Sequence, residues 1–177
     1  NTWIFFTADH GLSVGHHGLV GKQNQYDHSI RVPFVVVGPG VPKGVTDTAP
    51  IYLQDVMPTT LELAGARKPE HVFFKSLLSR LGQTKPDASS KPYASIYGSY
   101  LELQRSITHD GWKLIIYPDA KVLRLYHVQD DPHEMVDLAG QPEYADQMIE
   151  LFDRFVALQQ DLQLSLIHIS EPTRLWH

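Results

Sequence analysis

The 177 residues contain no cysteine. That excludes disulfides, a cysteine nucleophile and thiolate metal sites within this stretch, and it leaves the compartment open. No apolar run reaches the roughly 18 residues of a membrane-spanning helix. Positive charge is also in short supply. Fifteen Lys and Arg stand against twenty Asp and Glu, a net charge of -5 that argues against a nucleic-acid partner. An initiating methionine is missing too: the chain opens on Asn1, directly before a buried-type strand. We therefore expect an N-terminal portion, with any signal peptide, to lie outside this sequence. What remains, 42% hydrophobic and 20% charged, is the balance of an ordinary globular chain of roughly one domain.

The last residues stand apart from the rest. Leu164–Arg174 (LSLIHISEPTR) reads as the in-frame translation of a common transposase sequencing adapter. We expect the natural sequence to stop near Gln163 and residues 164–177 to be an artefact, so His168 and His177 are not candidate ligands.

Apolar patterning divides the chain into two parts. Trp3–Thr7 reads as a strand, and Val32–Val37, closed by Gly38-Pro39-Gly40, as a strand buried on both faces, the signature of a parallel sheet. Leu53, Val56, Met57, Leu61 and Ala64 recur at helical spacing, with Asp55 and Pro58 near the start and Gly65 as the stop. Lys75–Leu81 predicts a short helix. Gln83–Pro92 (QTKPDASSKP) is polar and Pro-bounded, and reads as a linker. Beyond it, Tyr93–Tyr100, Glu102–Thr108, Trp112–Tyr117 and Lys121–His127 read as successive strands joined by turns such as Asp110-Gly111. Tyr144, Met148, Leu151, Phe155 and Leu158 then mark one amphipathic helix. The expected division is residues 1–82, a linker over 83–92, and a small α+β subdomain over 93–163.

The chemistry concentrates at the start. The first strand delivers Asp9 and His10 at its C-terminal end, where ligands sit in open α/β sheets. Gly15, His16, His17, Gly18, Gly21 and Lys22 follow within one loop. Asp9 can give one or two oxygens to a hard cation such as Ca²⁺, which takes about six to eight in all, so these residues cannot complete its shell. His10 would suit zinc or manganese as well. Lys22 offers a point charge for a tetrahedral oxyanion. Taken alone, the same residues also describe a strand-to-loop turn and a solvated lysine. The glycine spacing is not that of a phosphate-binding P-loop. Four of the ten histidines, His10, His16, His17 and His28, fall within twenty residues. Arg31 reads as an ion-pair partner supporting the loop.

In order along the chain, Thr7-Ala8-Asp9-His10-Gly11, His17-Gly18, Gly21-Lys22, Tyr26–Phe34 and Gly38-Pro39-Gly40 resemble the C-terminal part of the type I, formylglycine-dependent sulfatases. Gln54–Gly65, Ser76-Leu77-Leu78 and Leu125–Ala139 resemble later segments of the same family, and the resemblance covers about residues 1–160. It implies an α/β fold: the C-terminal part of an alkaline-phosphatase-like α/β/α sandwich, plus a small antiparallel sheet with one packed helix. It implies that Asp9 and His10 are metal ligands, usually of Ca²⁺, that Lys22 contacts the sulfate ester, and that His17 lies near the substrate. Asp131-Pro132-His133-Glu134 would form a structured turn of the small subdomain rather than a catalytic group. Trp112, Arg105 and His109 are weighed equally as pocket residues and as core or surface residues.

The family's nucleophile is a formylglycine made from a Cys/Ser-x-Pro-x-Arg motif, and residues 1–163 contain none. We expect it, with the remaining metal carboxylates, in a missing N-terminal half. The implied enzyme hydrolyses a sulfate ester on a small molecule or glycan, in an extracytoplasmic (periplasmic or secreted) setting; by itself this fragment would be inactive. The alternatives are a phosphodiesterase or phosphonate hydrolase of the same superfamily, disfavoured by the Gly21-Lys22 placement, and a non-catalytic binding module.

Overall fold

The computed structural model describes residues 1–86 and 90–164. Residues 165–177, nearly all of the adapter-like tail, lie outside the described part, as do residues 87–89 of the expected linker. The chain forms two compact units: Asn1–Asp9 with Pro33–Tyr93, and His10–Val32 with Ala94–His177.

In the first unit, β1 (Ile4–Thr7) and the strand over Phe34–Val37 pair antiparallel, with Ile4 opposite Val37 and Thr7 opposite Phe34. Strand side chains alternate between faces. Phe5, Phe34 and Val36 share the half-buried face, where Phe5 also stacks on Trp3 at 6.3 Å. Ile4, Phe6, Val35 and Val37 are exposed on the other face. The parallel, doubly buried strand expected from the run Val32–Val37 is therefore not what forms. Its residues are apolar on both sides, but this chain covers only one of them.

Leu53–Asp55 forms one 3₁₀ turn leading into a helix over Val56–Leu63, and Gly65 takes the left-handed conformation (φ 68°) that stops it. Asp55 is fully buried. Its carboxylate accepts the Tyr52 N–H at 2.9 Å, the Lys75 N–H at 3.0 Å and the Tyr93 hydroxyl at 2.6 Å. Burial and this carboxylate together push the Tyr93 hydroxyl well above its ordinary range. The predicted helix over Lys75–Leu81 does not form; turns occupy its end. Tertiary contacts hold this segment instead: the Lys75 N–H donates to Asp55 Oδ1 at 3.0 Å, and the Leu77 N–H donates to Thr59 Oγ1 at 2.9 Å. These contacts anchor residues 75–77 to the helix over Val56–Leu63 and the turn before it, in an irregular course. Only the following turn, closed by the Leu81 N–H to the Leu77 carbonyl at 2.9 Å, is helical in kind.

The second unit is built on a four-stranded antiparallel meander. Numbered along the chain, with β2 (Ser13–Val14), β3 (Val20–Gly21) and β4 (Phe34–Val37) before it, the meander is β5 (Ser95–Tyr100), β6 (Gln104–His109), β7 (Trp112–Tyr117) and β8 (Val122–His127). The turn between β6 and β7 places Asp110 at φ 45° and Gly111 at φ 77°, the pair of positive values that a tight hairpin turn requires. Among the described residues the α-helices are α1 (Asp27–Ile30), α2 (Val56–Leu63) and α3 (Ala145–Asp161).

One face of the meander, Ile107, Leu114, Ile116 and Leu125, packs on Met148, Leu151, Phe152 and Phe155 of α3, all buried. At roughly 1.5–3 kcal/mol per fully buried large side chain, this layer is the main source of the unit's stability. The period-2 alternation sends Ser106, Lys113, Ile115 and Tyr126 to the opposite face. There they meet Gln25, Tyr26 and Asp27, the approach to and first residue of α1.

Candidate active-site loop

The loop that carries the expected site residues is a small framework of its own. β2 and β3 pair antiparallel, Ser13 opposite Gly21 and Val14 opposite Val20, so His10 and Lys22 leave the same ribbon from its two strands. Lys22 Nζ lies 2.5 Å from His10 Nε2. The other ring nitrogen, Nδ1, donates to the Gly11 carbonyl at 2.9 Å. A carbonyl can only accept, so the proton sits on Nδ1 and Nε2 presents a lone pair. That lone pair faces a cation, here the lysine ammonium. Asp9 is exposed and belongs to the first unit.

His17 is held differently. It adopts a left-handed backbone (φ 56°) and stacks face to face on Tyr26 at 4.0 Å, with His28 5.6 Å from both rings and His16 5.5 Å from His28. Its Nε2 is buried without a hydrogen-bond partner. Burial lowers the pKa of His28, and the neighbouring His17, His16 and Lys113 lower it further against Asp27. The neutral ring is thereby favoured, with Nε2 in a short hydrogen bond to Ser13 Oγ.

A series of buried contacts fixes the loop. Asn24 donates to Ser13 Oγ at 3.0 Å and accepts the Tyr26 N–H at 3.1 Å. Gly11 donates its N–H to the Ser29 carbonyl at 2.8 Å, and a Cβ at Gly11 would strike the His28 carbonyl oxygen. Only glycine lets the chain between β1 and β2 approach α1 so closely. From the meander, Gln104 donates to the Gln23 carbonyl, Ser106 donates to Gln25 Oε1 at 2.9 Å, and the Tyr26 and Tyr126 hydroxyls meet at 3.3 Å. Lys113, with no solvent exposure, reaches Asp27 Oδ1 at 2.5 Å and Glu134 Oε1 at 2.7 Å. Glu134, 1% exposed, uses Oε2 to accept the Asp27 N–H at 2.7 Å. Burial raises the Glu134 carboxyl pKa, and Lys113 opposes the rise.

Asp131-Pro132-His133-Glu134 does form a turn, closed by the Glu134 N–H to the Asp131 carbonyl at 3.0 Å, with Asp131 accepting the Val136 N–H. The sequence reading overlooked where this turn sends Glu134, and the partnership of Lys113 and Asp27 with it. The available signal was a lysine inside the otherwise apolar run Trp112–Tyr117. Arg31 stands 3.7 Å from Asp27, as an ion-pair partner. Arg105 donates to the Leu101 and Gln104 carbonyls, and His109 is taken up by the Ala94 carbonyl and Ser95. Trp112 packs on His127 at 4.4 Å and on Tyr144, at the wall of a cavity of about 340 Å³. Among the described residues, no group of three or more His, Cys, Asp or Glu is arranged to hold a metal ion, and no helix is long and apolar enough to cross a membrane.

Comparison with known proteins agrees with this organisation. Residues 15–161 match the family model described as N-sulphoglucosamine sulphohydrolase, C-terminal. The chain is 31% identical over 160 residues to an N-acetylglucosamine-6-O-sulfatase of Bacteroides thetaiotaomicron, covering 85% of this chain and 29% of that protein. It is 41% identical over 86 residues to a putative extracellular sulfatase of Caenorhabditis elegans, covering 48% of this chain and 12% of that protein. A structure solved in complex with its substrate, D-glucosamine-2-N,6-O-disulfate, superposes with a TM-score of 0.81 at 26% identity, covering 91% of this chain and 34% of that one. The chain thus spans about a third, or less, of the length of these relatives. A loop docked on a small meander, a family model matched over most of the chain and a shared fold point the same way: the chain belongs to the sulfatase family of the alkaline-phosphatase-like superfamily, and corresponds to the C-terminal region of its members.

Proposed function

We propose that this chain is the C-terminal part of an enzyme that hydrolyses a sulfate ester on a carbohydrate, with residues 10–32 as its contribution to the sulfate site. The observation that carries this reading is the Lys22–His10 pair: an ammonium 2.5 Å from an imidazole lone pair, on the two chain segments that flank the β2–β3 ribbon. The relative that acts on N-acetylglucosamine sulfate and the neighbour bound to a glucosamine disulfate support a sulfated amino sugar as substrate. An extracytoplasmic setting is supported by the relative named as extracellular.

In this reading Lys22 binds a sulfate oxygen and stabilises the charge that grows on it as the ester bond breaks. Asp9 and His10 would hold a divalent cation, Ca²⁺ in the sulfatases the chain resembles. The donor set fits as a partial shell. His10 Nε2 accepts from Lys22 in this structure and would be free for the ion once Lys22 turns to the sulfate. Asp9 is an exposed carboxylate next to it in sequence, and the two together fall short of the roughly six to eight ligands Ca²⁺ takes, so further oxygens would have to complete the shell. When bound, the ion neutralises sulfate oxygens. His17, stacked on Tyr26 with a buried Nε2 that has no hydrogen-bond partner, would lie near the substrate in this reading. The exposed face of Ile4, Phe6, Val35 and Val37 supports the part of residues 1–82 outside residues 10–32 as belonging to a larger core domain; residues 10–32 group instead with the small subdomain expected over 93–163.

The nucleophile motif belongs elsewhere. The letters Ser170-Glu171-Pro172-Thr173-Arg174 do satisfy Ser-x-Pro-x-Arg, but they sit in the adapter-like tail, outside the described residues, and we give them no role. The test is to read the coding sequence upstream of Asn1 for that motif and to assay the full-length protein on an aryl sulfate and on 6-O-sulfated glucosamine. Lys22→Ala should lower turnover by roughly 10²-fold, the usual scale for losing a transition-state contact. Turnover within about twofold of the parent would remove Lys22 from the site.

A further inference from the structure

The strongest unused feature of the molecule is a buried charge cluster away from the Lys22–His10 pair. Lys113 sits on the polar face of the meander with no solvent exposure, between Asp27 and Glu134. One ammonium meets two carboxylates, and the third contact, Glu134 to the Asp27 N–H, caps the first turn of α1. Burying such groups costs several kcal/mol per ion, so their geometry has to be fully satisfied to persist. A well-packed apolar face, like the one against α3, would have been the cheaper solution. The sequence instead places an ion cluster where the meander meets the loop.

That cluster leads to the site through a short run of tight contacts. Asp27 begins α1; α1 supplies the Ser29 carbonyl to the Gly11 N–H and the His28 ring to Ser13. Gly11 is the neighbour of His10, and Ser13 pairs with Gly21, the neighbour of Lys22. Ser13 and Ser29 on this route, and Asn24 beside it, are buried, and the half-buried His28 is held by Ser13. A shift of α1 acts directly on the Gly11 N–H and on Ser13, in the backbone segments that carry the two site residues.

We propose that Lys113, Glu134 and Asp27 are positioning residues: an ion cluster on the small subdomain's sheet that sets the placement of His10 and Lys22. This rests on reading the Lys22–His10 pair as the functional site. It gives the small subdomain a part in the reaction through placement, without a group that touches substrate. It also explains why Asp131–Glu134 is built as a turn with Glu134 in a left-handed backbone (φ 55°), which aims the carboxylate inward.

The experiment uses the full-length protein with Glu134→Gln, which keeps the volume and an acceptor for the Asp27 N–H but removes the charge that fixes Lys113. Hydrogen exchange is followed in peptides spanning residues 10–32 and in peptides of α3. Steady-state kinetics are measured on an aryl sulfate. We expect exchange at Gly11 and across residues 10–32 to quicken by at least about tenfold while α3 is unchanged. We expect kcat to fall by at least about tenfold with KM within about twofold, the pattern of a misplaced rather than a missing contact. Unchanged exchange over residues 10–32 would overturn the proposal, and this readout stands even if the protein proves not to cleave sulfate esters. Loop exchange that quickens while kcat stays at the parent value would also overturn it. If Glu134→Gln does not fold, Asp27→Asn, at the partly exposed end of the cluster, is read by the same two measurements and the same limits.

Discussion

The two faces of the β5–β8 meander are made by alternate residues of the same strands, yet they are held by opposite means. Ile107, Leu114, Ile116 and Leu125 meet α3 in a dry apolar layer. Ser106, Lys113 and Tyr126, one residue out of step, meet the loop through hydrogen bonds and ion pairs. Apolar contacts are strong but tolerant of small displacements, because they have no direction. Charged and polar contacts add little net stability, but fix distance and angle. The difference teaches that this unit uses one face to stay folded and the other to place a loop.

Four substitutions or conditions test that division. The largest effect belongs to the apolar face. Phe155→Ala should lower the unfolding free energy by about 4 kcal/mol, the usual cost of emptying a large aromatic site. Denaturant titration of the full-length protein reads it, and kcat of the folded fraction should not change. A lowered kcat would mean that the apolar face also places the loop.

Lys113→Ala, on the polar face, should cost about 3 kcal/mol, because it leaves Glu134 as an uncompensated buried carboxylate beside the partly exposed Asp27. The same titration measures it, and here activity should fall together with stability. Loss of stability alone would erase the contrast between the faces. Next in size, Ser106→Ala removes one buried hydrogen bond, to Gln25, and should cost about 1 kcal/mol in thermal or chemical unfolding.

The smallest effect is on pH dependence. The His28 pKa lies below its ordinary value of 6.5, first through burial and then through His17, His16 and Lys113, against Asp27. The unfolded chain therefore binds the proton more readily than the folded one. The stability due to this group is fully present above pH 6.5 and is lost as pH falls through the lowered native value. Unfolding midpoints collected from about pH 7.5 to 5.5, the window of histidine titration, should decline in the parent and decline less steeply in His28→Gln. Equal slopes would show that the ring stack carries no such linkage.

Much of the architecture was legible in order. The meander is readable because Trp112–Tyr117 and its neighbours alternate and are separated by turns such as Asp110-Gly111; the observed strands differ from the reading by a residue or two at their ends. The helix over Val56–Leu63 and its Gly65 stop follow from local chemistry alone. Lys75–Leu81 fails for the complementary reason: its competitors, Asp55 and Thr59, are about twenty residues away and invisible to a local pattern. The loop residues His10, His17 and Lys22 could be marked by type and spacing. Their geometry could not, since it depends on β2 pairing with β3 and on Ser13 meeting His28.

By itself, then, the sequence determined what is short-range or carried by residue type. It gave strand and helix periods, the turns, the absence of thiol chemistry, and an ordered set of motifs specific enough to identify a sulfatase C-terminal region. Tertiary structure decided what depends on contacts between distant positions. It grouped His10–Val32 with Ala94 onward, left one face of the β1–β4 pair open, and brought Asp27, Lys113 and Glu134 together across 86 and 21 residues of chain. The physical reason is the period of two. Alternation along a strand states that one side chain points away from the core, but not whether it meets water, a helix or, as Lys113 does, the carboxylates of a loop.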